Sequence, residues 1–320
     1  MTILVTGACG FVGAHVVAAL ARNRPGERVV AADLAPPPGA VSTFWGDIAV
    51  VHELLDVTDR AAVRDAFARH RPRFAVHMAA ITPSLAMEAA DPLLIVDVNI
   101  GGAANVIDAA TASPGIERVV TLSSTIVYGF DPALPSPVTE DVPPDAMGLY
   151  SVSKVACEGL SRRFGALRGV STVAARIAAV YGSMERPTPH RETMSQLYPL
   201  FAALRERRPI VVATSETMRD WTHADDIGDG ICALLAAPDL RHPVYNVSRG
   251  VGLRWSQVLA LFRGAGLDLT IVGDPAQAEA SFDAALGRPP LDVARLAADT
   301  GFRAARDLKD AIERAAAGGW

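Results

Sequence analysis

The feature that most constrains the fold is an apolar strand that runs directly into a glycine-rich turn. Ile3–Val5 is apolar and mostly β-branched, which is typical of a buried parallel strand. The turn then carries Gly7, Gly10 and Gly13, and a helical stretch that ends at Arg22 follows it. Residues without a Cβ let the backbone approach a pyrophosphate closely, while the helix N-terminus faces the negative charge. The segment therefore predicts a dinucleotide-binding turn.

Strands and helices alternate through the first half of the chain, which predicts an α/β fold. Such alternation favours a Rossmann-type, doubly wound parallel sheet with helices on both faces. The predicted strands are Ile3–Val5, Arg28–Ala32, His52–Leu55, Phe74–His77, Val119–Leu122 and Thr172–Ile177. The predicted helices between them are Gly13–Arg22, Arg60–His70, Leu93–Thr111 and Leu149–Leu167.

After residue 177 the pattern loosens, because prolines separate shorter elements. We predict a strand over 244–247 and the helices Ser195–Arg207, Ile227–Leu235, Trp255–Gly264 and Asp307–Ala316. We expect residues 1–180 to form the cofactor-binding domain, with 221–247 returning to it. Residues 181–220 and 248–320 are expected to form a smaller C-terminal substrate-binding lobe that covers the cofactor edge.

The composition argues against several classes of partner. A net charge of -5 gives no electrostatic reason to expect nucleic acid or an anionic membrane. The three cysteines, Cys9, Cys157 and Cys232, are far apart and lack metal-ligand spacing, which suits a reducing compartment and no bound metal. No signal peptide is visible, and no apolar run approaches the roughly 18 residues of a membrane span. We therefore expect a soluble, cytoplasmic protein.

Acidic residues at the ends of the second and third strands bear on cofactor choice. Asp33 lies 20 residues after Gly13, where a carboxylate can accept both adenine-ribose hydroxyls and repel a 2′-phosphate. No arginine or lysine follows Asp33 closely, so NAD is predicted rather than NADP. Asp56 is predicted to accept a hydrogen bond from the adenine amino group. The alternative for Asp56 is a helix N-cap, for which Thr58 and Asp59 compete.

Three residues have the composition and spacing of a proton-transfer site. Tyr150 and Lys154 are four residues apart, so both side chains lie on one face of a helix, and Ser124 ends a strand earlier in the chain. A tyrosine in water has a pKa near 10, and a nearby lysine ammonium favours its phenolate form. The serine hydroxyl would hold the substrate oxygen, and the phenolate would accept its proton while hydride leaves carbon. His77 lies within a strand and is predicted to be structural.

Together these motifs resemble the extended short-chain dehydrogenase/reductases, particularly the NAD-dependent epimerase/dehydratase family. The resemblance runs across almost the whole chain and rests on Thr6–Gly13, His77–Ala80, Asn99, Ser123–Gly129, Tyr150–Lys154 and Arg219–Asp226. It implies bound NAD, a Ser124–Tyr150–Lys154 catalytic site in which Lys154 holds the nicotinamide ribose, and a homodimer formed by Leu93–Thr111 and Leu149–Leu167.

The predicted ligand contacts fall into two sets. The cofactor set contains Gly7, Gly10, Phe11, Val12, Gly13, Asp33, Asp56, Val57, Ala79, Ala80, Asn99, Tyr150, Lys154, Ile177 and Val180. The substrate set contains Ser84, Ser124, Thr125, Tyr150 and Arg219. Further candidates for binding a carboxylate or phosphate of the substrate are Arg186, His190, Arg191 and Arg288.

The chain departs from the family pattern at positions that bear on the substrate. Thr125-Ile126 replaces the acidic pair of the sugar 4,6-dehydratases, so dehydration by that route is not expected. Ala179 stands where nucleotide-sugar epimerases usually carry an asparagine that touches the diphosphate, and Thr214-Ser215-Glu216 replaces a Gly-Asp-Gly. Arg219 is retained, either to bind an anion or to form a surface ion pair with Asp220.

We predict an NAD-dependent oxidoreductase that moves hydride between NAD and a secondary alcohol of a sugar, sugar acid or similar polyhydroxy substrate. The favoured form is net dehydrogenation or reduction. The alternative is a sugar epimerase, in which hydride returns to the opposite face of a transient ketone and NAD is not consumed. A non-catalytic NAD sensor on the same fold is disfavoured, because such proteins tend to lose the tyrosine or lysine that this chain retains.

Overall fold

The computed structural model describes residues 1–131, 133–283 and 286–319, and its centre is a parallel sheet of seven strands. The strands, numbered in chain order, are β1 (Thr2–Thr6), β2 (Arg28–Asp33), β3 (Val50–Leu54), β4 (Phe74–His77), β5 (Arg118–Ser124), β6 (Ser171–Ile177), β7 (Ala179–Tyr181), β8 (Ile210–Ala213), β9 (Met218–His223), β10 (Val244–Val247), β11 (Gly252–Arg254) and β12 (Leu269–Val272). The large sheet has the order β10-β6-β5-β4-β1-β2-β3. Its direction of winding reverses between β1 and β4, where such sheets bind ligands.

Helices cover both faces of this sheet, as predicted. They are α1 (Phe11–Asn23), α2 (Gly39–Trp45), α3 (Arg60–His70), α4 (Leu85–Ala90), α5 (Pro92–Val96), α6 (Ala103–Ala112), α7 (Leu149–Arg168), α8 (Tyr198–Glu206), α9 (Ala224–Ala236), α10 (Trp255–Gly264), α11 (Ala294–Thr300) and α12 (Leu308–Ala316). Alternate strand residues point to opposite faces: Ile3 and Val5 pack with α1 and α9, whereas Leu4 packs with α3 and α6.

The predicted fold class is confirmed, and the predicted bounds of α3, β4 and α10 coincide with the observed ones. The helix predicted over Leu93–Thr111 is confirmed, since Pro92–Ala112 is one helical stretch, and within it a π-helical turn, Asp97–Gly102, separates α5 from α6. In this turn the Asn99 carbonyl accepts a hydrogen bond from Cys157 Sγ (3.1 Å). A Cβ on Gly102 would lie 2.6 Å from Val57 Cγ2, so the turn packs closely against the loop after β3.

A second core lies beyond the large sheet. It is built from α8, α10 and α12 together with short strands, and its largest fully buried side chain is Trp255. The pairings are β11-β9-β7 in one small sheet and β12-β8 in another. These strands have three to six residues each, and their partners are distant in sequence. Sequence periodicity therefore missed all five of them, together with the short helices α2 and α4.

One helical stretch, Pro92–Ala112, is by length and composition apolar enough to cross a membrane, and 44% of it is buried within the protein. No apolar run of that length was expected from the sequence. The stretch includes the aspartates Asp97 and Asp108, and residues such as Ile95 and Val106 are fully buried. Packing against the sheet and α7 accounts for its apolar character.

At two helical glycines, substitution by alanine is expected to change the free energy of unfolding in opposite directions. A Cβ on Gly228 of α9 would lie 2.8 Å from Ala19 Cβ on α1, whereas at Gly264 of α10 no atom of the described chain comes within 4 Å. We expect Gly228→Ala to lower the free energy of unfolding by about 1–3 kcal/mol through overpacking. Gly264→Ala is expected to raise it by about 0.5–1 kcal/mol, because alanine loses less backbone entropy on folding. Urea unfolding followed by circular dichroism measures both, and shifts of the same sign would contradict the prediction.

Candidate active site

The carboxyl ends of the central strands surround one large cavity of about 1210 Å³. Strands β1, β2, β4 and β5 each contribute residues from their ends or following loops, as predicted from the strand-end positions. This volume exceeds that of a pocket for one drug-sized ligand, so the cavity has room for a dinucleotide together with a substrate. The lining includes Gly7, Gly10, Phe11, Val12, Gly13, Asp33, Asp56, Val57, Ala79, Ala80, Ser124, Tyr150, Lys154, Ile177 and Val180.

The glycine turn packs so closely that side chains are excluded from it. Gly7 has a φ of +69°, and a Cβ there would lie 2.7 Å from the backbone nitrogen of Ala79. A Cβ on Gly13 would lie 2.1 Å from the Gly7 carbonyl oxygen. Helix α1 begins at Phe11, and its N-cap is Gly10, which has no side chain to occupy the first-turn amides. These amides line the cavity and form an anion site that fits a dinucleotide diphosphate.

The carboxylate of Asp33 is fixed at the edge of this turn. Its Oδ2 accepts a hydrogen bond from the Cys9 amide and its Oδ1 accepts one from the Leu34 amide, each at 2.8 Å. A carboxylate oxygen has a second lone pair, so Asp33 retains acceptor capacity toward the cavity that it lines. This geometry suits ribose hydroxyls.

Asp56 lines the cavity in a turn that its own side chain stabilises. Its Oδ1 accepts hydrogen bonds from the Thr58 amide and the Thr58 hydroxyl. The N-cap of α3 is Asp59, whose side chain accepts from the Ala61 and Ala62 amides. The N-cap alternative for Asp56 is therefore wrong, and Asp56 is left facing the cavity.

The serine, tyrosine and lysine singled out from the sequence all line the cavity. Tyr150 lies in the first turn of α7, and Lys154 Nζ is 5.4 Å from the centroid of its ring. Lys154 is buried and donates a hydrogen bond to the Leu122 carbonyl (3.0 Å), which fixes the ammonium beneath the tyrosine. Ser124 ends β5 on the same side. The start of α7 is held by Glu88, whose Oε1 accepts from the Leu149 amide at 3.0 Å.

The polar residues behind this trio are structural. Ser123 points away from the cavity and donates to Glu158 Oε1 (2.6 Å), which also receives a hydrogen bond from Arg176 Nε. The buried Glu158–Arg176 ion pair thereby joins β5, β6 and α7. His77 is buried and its Nδ1 lies 2.8 Å from Thr6 Oγ1, in keeping with the predicted structural role. Burial and the charge of Lys154 lower the pKa of His77 to about 3.

Three residues predicted to contact ligands are placed elsewhere. Asn99 is buried, and its amide binds both the N–H and the carbonyl of Ile81. Ser84 caps α4 and donates to Glu192 Oε2 at 2.6 Å. Thr125 is buried at the start of a 3₁₀ turn. Among the described residues none of these three lines the cavity. The polar atoms of Asn99 and Ser84 are engaged in hydrogen bonds within the loops around it.

Arg219 lines the cavity and forms no pair with Asp220, so the surface ion-pair alternative is wrong. The Asp220 carboxylate is buried and accepts hydrogen bonds from the Gly250 and Leu291 amides. Arg219 Nη1 instead donates to the Leu286 carbonyl at 3.1 Å. Burial lowers the pKa of Arg219 to about 10.

Arg219 and Arg288 both lie close to the aromatic ring of Phe130. The Cζ atoms of Arg219 and Arg288 lie 6.0 and 4.8 Å from the centroid of Phe130. Arg288 donates twice to the Gly129 carbonyl and does not itself line the cavity. Burial, and then the charge of Arg219, lower the pKa of Arg288 to about 9. Within the described part of the chain, neither guanidinium has a carboxylate at ion-pair distance, so the cavity wall carries excess positive charge here.

The remaining predicted cations lie on the side of the glycine turn. Arg186, His190 and Arg191 belong to a segment over residues 183–196, here called the covering segment, most of which lines the cavity. Sequence reasoning also missed Asn105, whose side chain lines the cavity and donates to the Val57 carbonyl at 3.0 Å. Nothing in the sequence around Asn105 distinguishes it from an ordinary helix residue.

The sheet order and the cavity define a class of protein, the Rossmann-type enzymes that work with a bound dinucleotide. A family model described as the NAD dependent epimerase/dehydratase family matches residues 3–248, and the chain belongs to this family. The glycine turn and Asp33 fit NAD, which is the family's cofactor.

Comparison with individual proteins gives the same family. The chain is 28% identical over 295 residues to a UDP-glucose 4-epimerase of Neisseria meningitidis, covering 84% of this chain and 83% of that protein. It is 27% identical over 248 residues to a probable UDP-glucuronate 4-epimerase of Rhizobium meliloti, covering 74% and 69%. The crystal structure of the Thermus thermophilus UDP-glucose 4-epimerase in complex with NAD superimposes with a TM-score of 0.78 at 25% identity, covering 99% and 98%.

Proposed function

We propose that this protein is an NAD-dependent epimerase of a sugar that carries a diphosphate, as a nucleotide sugar does. The observation that carries the proposal is the pair of buried guanidinium groups of Arg219 and Arg288 around Phe130. A buried cation without an acidic partner destabilises a protein unless a ligand neutralises it. An anionic substrate group at the Arg219 side of the cavity supplies that neutralisation.

This proposal reverses the order favoured from the sequence. Ala179 lines the cavity and cannot donate the hydrogen bond that an asparagine would give. Arg219, which lines the cavity, offsets that loss, because charge-assisted hydrogen bonds from arginine to phosphate are stronger than those from a neutral amide. Two of the relatives matched over about 70% or more of their length are a UDP-glucose 4-epimerase and a probable UDP-glucuronate 4-epimerase.

The proposed chemistry uses the trio on the cavity wall. Ser124 Oγ holds the substrate hydroxyl, and the Tyr150 oxygen removes its proton and later returns it. Lys154 stabilises the phenolate form of Tyr150, and its own position is fixed by the Leu122 carbonyl. Bound NAD supplies the nicotinamide that accepts hydride from the substrate carbon and gives it back.

A dehydrogenase remains the second candidate because of Ala179 and the Thr214–Glu216 replacement. Both changes weaken the part of the site that holds a nucleotide diphosphate, which favours a free sugar or sugar acid. In that case Arg219 would bind the carboxylate of a sugar acid, and NAD would leave reduced after each turnover.

We propose that the protein forms a homodimer and is located in the cytoplasm. Apolar side chains are exposed along the two helical regions named from the family resemblance, with Leu93 69% exposed on α5 and Val152 43% exposed on α7. Such side chains gain stability when a second copy covers them. The free, buried cysteines are typical of a reducing compartment.

We also propose that residues 1–180 and 221–247 form the cofactor domain, and that 181–220 and 248–320 form the substrate lobe. Strand β10, which comes from the second part of the chain, pairs with β6 in the large sheet. The second core draws most of its residues from 197–315. Residues 284, 285 and 320 of this proposed lobe lie outside the described residues.

The test uses purified protein, a set of substrates and two readouts. UDP-glucose, UDP-glucuronic acid, free glucose and free glucuronic acid are incubated with and without added NAD, and products are separated by chromatography while absorbance at 340 nm is followed. Conversion of a UDP-sugar to its epimer without net NADH is the expected result. Steady NADH formation from a free sugar or sugar acid would establish the dehydrogenase instead.

A further inference from the structure

The covering segment is tied to the glycine turn and to the loop after β4 at several points. Ser183 O lies 2.8 Å from His15 Nε2 of α1, and the Arg186 guanidinium donates to the Cys9 carbonyl at 2.7 Å. Farther along, the His190 carbonyl accepts a hydrogen bond from the backbone amide of Thr82 (2.9 Å). These contacts hold the segment over the part of the cavity where the turn presents its amides.

Arg191 lines the cavity next to the first residue of α1. Its guanidinium carbon lies 5.5 Å from the ring centroid of Phe11, the first residue of α1. One edge of the group pairs with Glu185 through Nη2 at 2.7 Å. Its Nε is buried and has no hydrogen-bond partner within the described chain. A guanidinium group has five N–H donors, so Arg191 retains donors that the pairing with Glu185 does not use.

Arg186 contributes a charge that this region of the protein does not neutralise. Its guanidinium donates to the carbonyls of Cys9 and Met184, and in the described residues no carboxylate comes within ion-pair distance of it. Both arginines line the same cavity as the glycine turn. The charge of Glu185 offsets that of Arg191, which leaves about one net positive charge beside the helix N-terminus.

We propose that Arg186 and Arg191 bind the diphosphate of the dinucleotide beside the N-terminus of α1. From the sequence, Arg186 and Arg191 were expected to bind the substrate. The cofactor diphosphate was expected to be bound by the amides of the glycine turn alone. The diphosphate then receives hydrogen bonds from the backbone amides of the turn and from the two guanidinium groups of the covering segment. Because the covering segment carries both arginines, the cofactor leaves only when the segment detaches from Cys9 and Thr82.

The proposal depends on NAD binding and not on which sugar is the substrate, so its test needs no turnover. Affinities of ADP-ribose and of adenosine are measured by titration calorimetry and competition for the wild type, Arg186→Gln and Arg191→Gln. Each substitution is expected to weaken ADP-ribose binding about 10-fold to 100-fold and adenosine binding less than about 2-fold. The control, Arg205→Gln, removes an exposed arginine of α8 outside the cavity and is expected to change neither affinity.

Two further measurements separate diphosphate binding from a merely structural role. Arg191→Lys keeps the charge, so it is expected to restore part of the ADP-ribose affinity and to leave thermal unfolding unchanged. The rate of NAD release in stopped-flow displacement should rise in both glutamine variants. Equal losses for ADP-ribose and adenosine, or no loss for either, would overturn the proposal.

Discussion

Replacing Tyr150 with phenylalanine is expected to lower kcat by about 10³-fold while NAD binds with unchanged affinity. The hydroxyl is the proton acceptor of the proposed reaction, and general acid–base catalysis of this kind contributes roughly 10²-fold to 10⁴-fold. The phenyl ring retains the contact with Lys154 Nζ, which lies 5.4 Å from the ring centroid. Turnover is measured on whichever substrate the wild type converts, and NAD affinity by titration calorimetry.

A matched control for this experiment is Tyr198→Phe, which removes a hydroxyl from the first residue of α8, outside the cavity lining. It is expected to leave both kcat and NAD affinity within about 2-fold of the wild type. A Tyr150→Phe variant with more than about a tenth of wild-type kcat would exclude Tyr150 as the catalytic acid and base. Loss of NAD binding in that variant would show a positioning role instead.

Replacing Arg219 with methionine is expected to have opposite effects on substrate binding and on stability. Loss of a charged hydrogen-bond donor to a phosphate costs about 1.5–3 kcal/mol, so the substrate's affinity should fall about 10-fold to 100-fold. The ligand-free protein should gain about 1 kcal/mol in its free energy of unfolding, because an apolar side chain replaces a buried and unpaired charge.

The sign of the stability effect follows from the lowered pKa of Arg219, about 10. A base whose pKa is lowered on folding holds its proton less favourably in the folded state, so it destabilises the fold at every pH below that value. The cost disappears progressively as the pH rises above about 10, where the folded protein releases the proton first. The advantage of Arg219→Met over the wild type should therefore be full at pH 7 and shrink above pH 10.

Urea unfolding at pH 7 and binding of UDP or a UDP-sugar by calorimetry measure the two effects. The control Arg205→Met changes an exposed arginine and is expected to alter neither quantity. A destabilised Arg219→Met with normal affinity for UDP would contradict both expectations. It would show that the hydrogen bond to the Leu286 carbonyl outweighs the cost of burying the charge.

Local sequence patterns were sufficient to predict which residues line the part of the cavity next to the glycine turn. The glycine turn, Asp33 and the Tyr150–Lys154 spacing each depend on conformations set within a few residues, and the strands that follow them end at one edge of any parallel sheet. For the same reason the cavity lining contains nearly all residues predicted to contact NAD. Asn99 is the exception, since its amide is used within the protein by Ile81.

Sequence could not decide where the arginines lie, because their positions depend on packing between distant segments. Arg186 and Cys9 are 177 residues apart, yet a hydrogen bond of 2.7 Å joins them. The pairing of Arg219 and Arg288 around Phe130 likewise depends on strand β9 and on loops from separate parts of the chain. An exposed arginine and a buried, unpaired one have the same sequence signature, and only the surrounding atoms set their desolvation and charge. The sequence by itself determined the fold, the cofactor and the candidate chemistry, whereas the tertiary structure decided which of the predicted arginines line the cavity: Arg186, Arg191 and Arg219 do, and Arg288 does not.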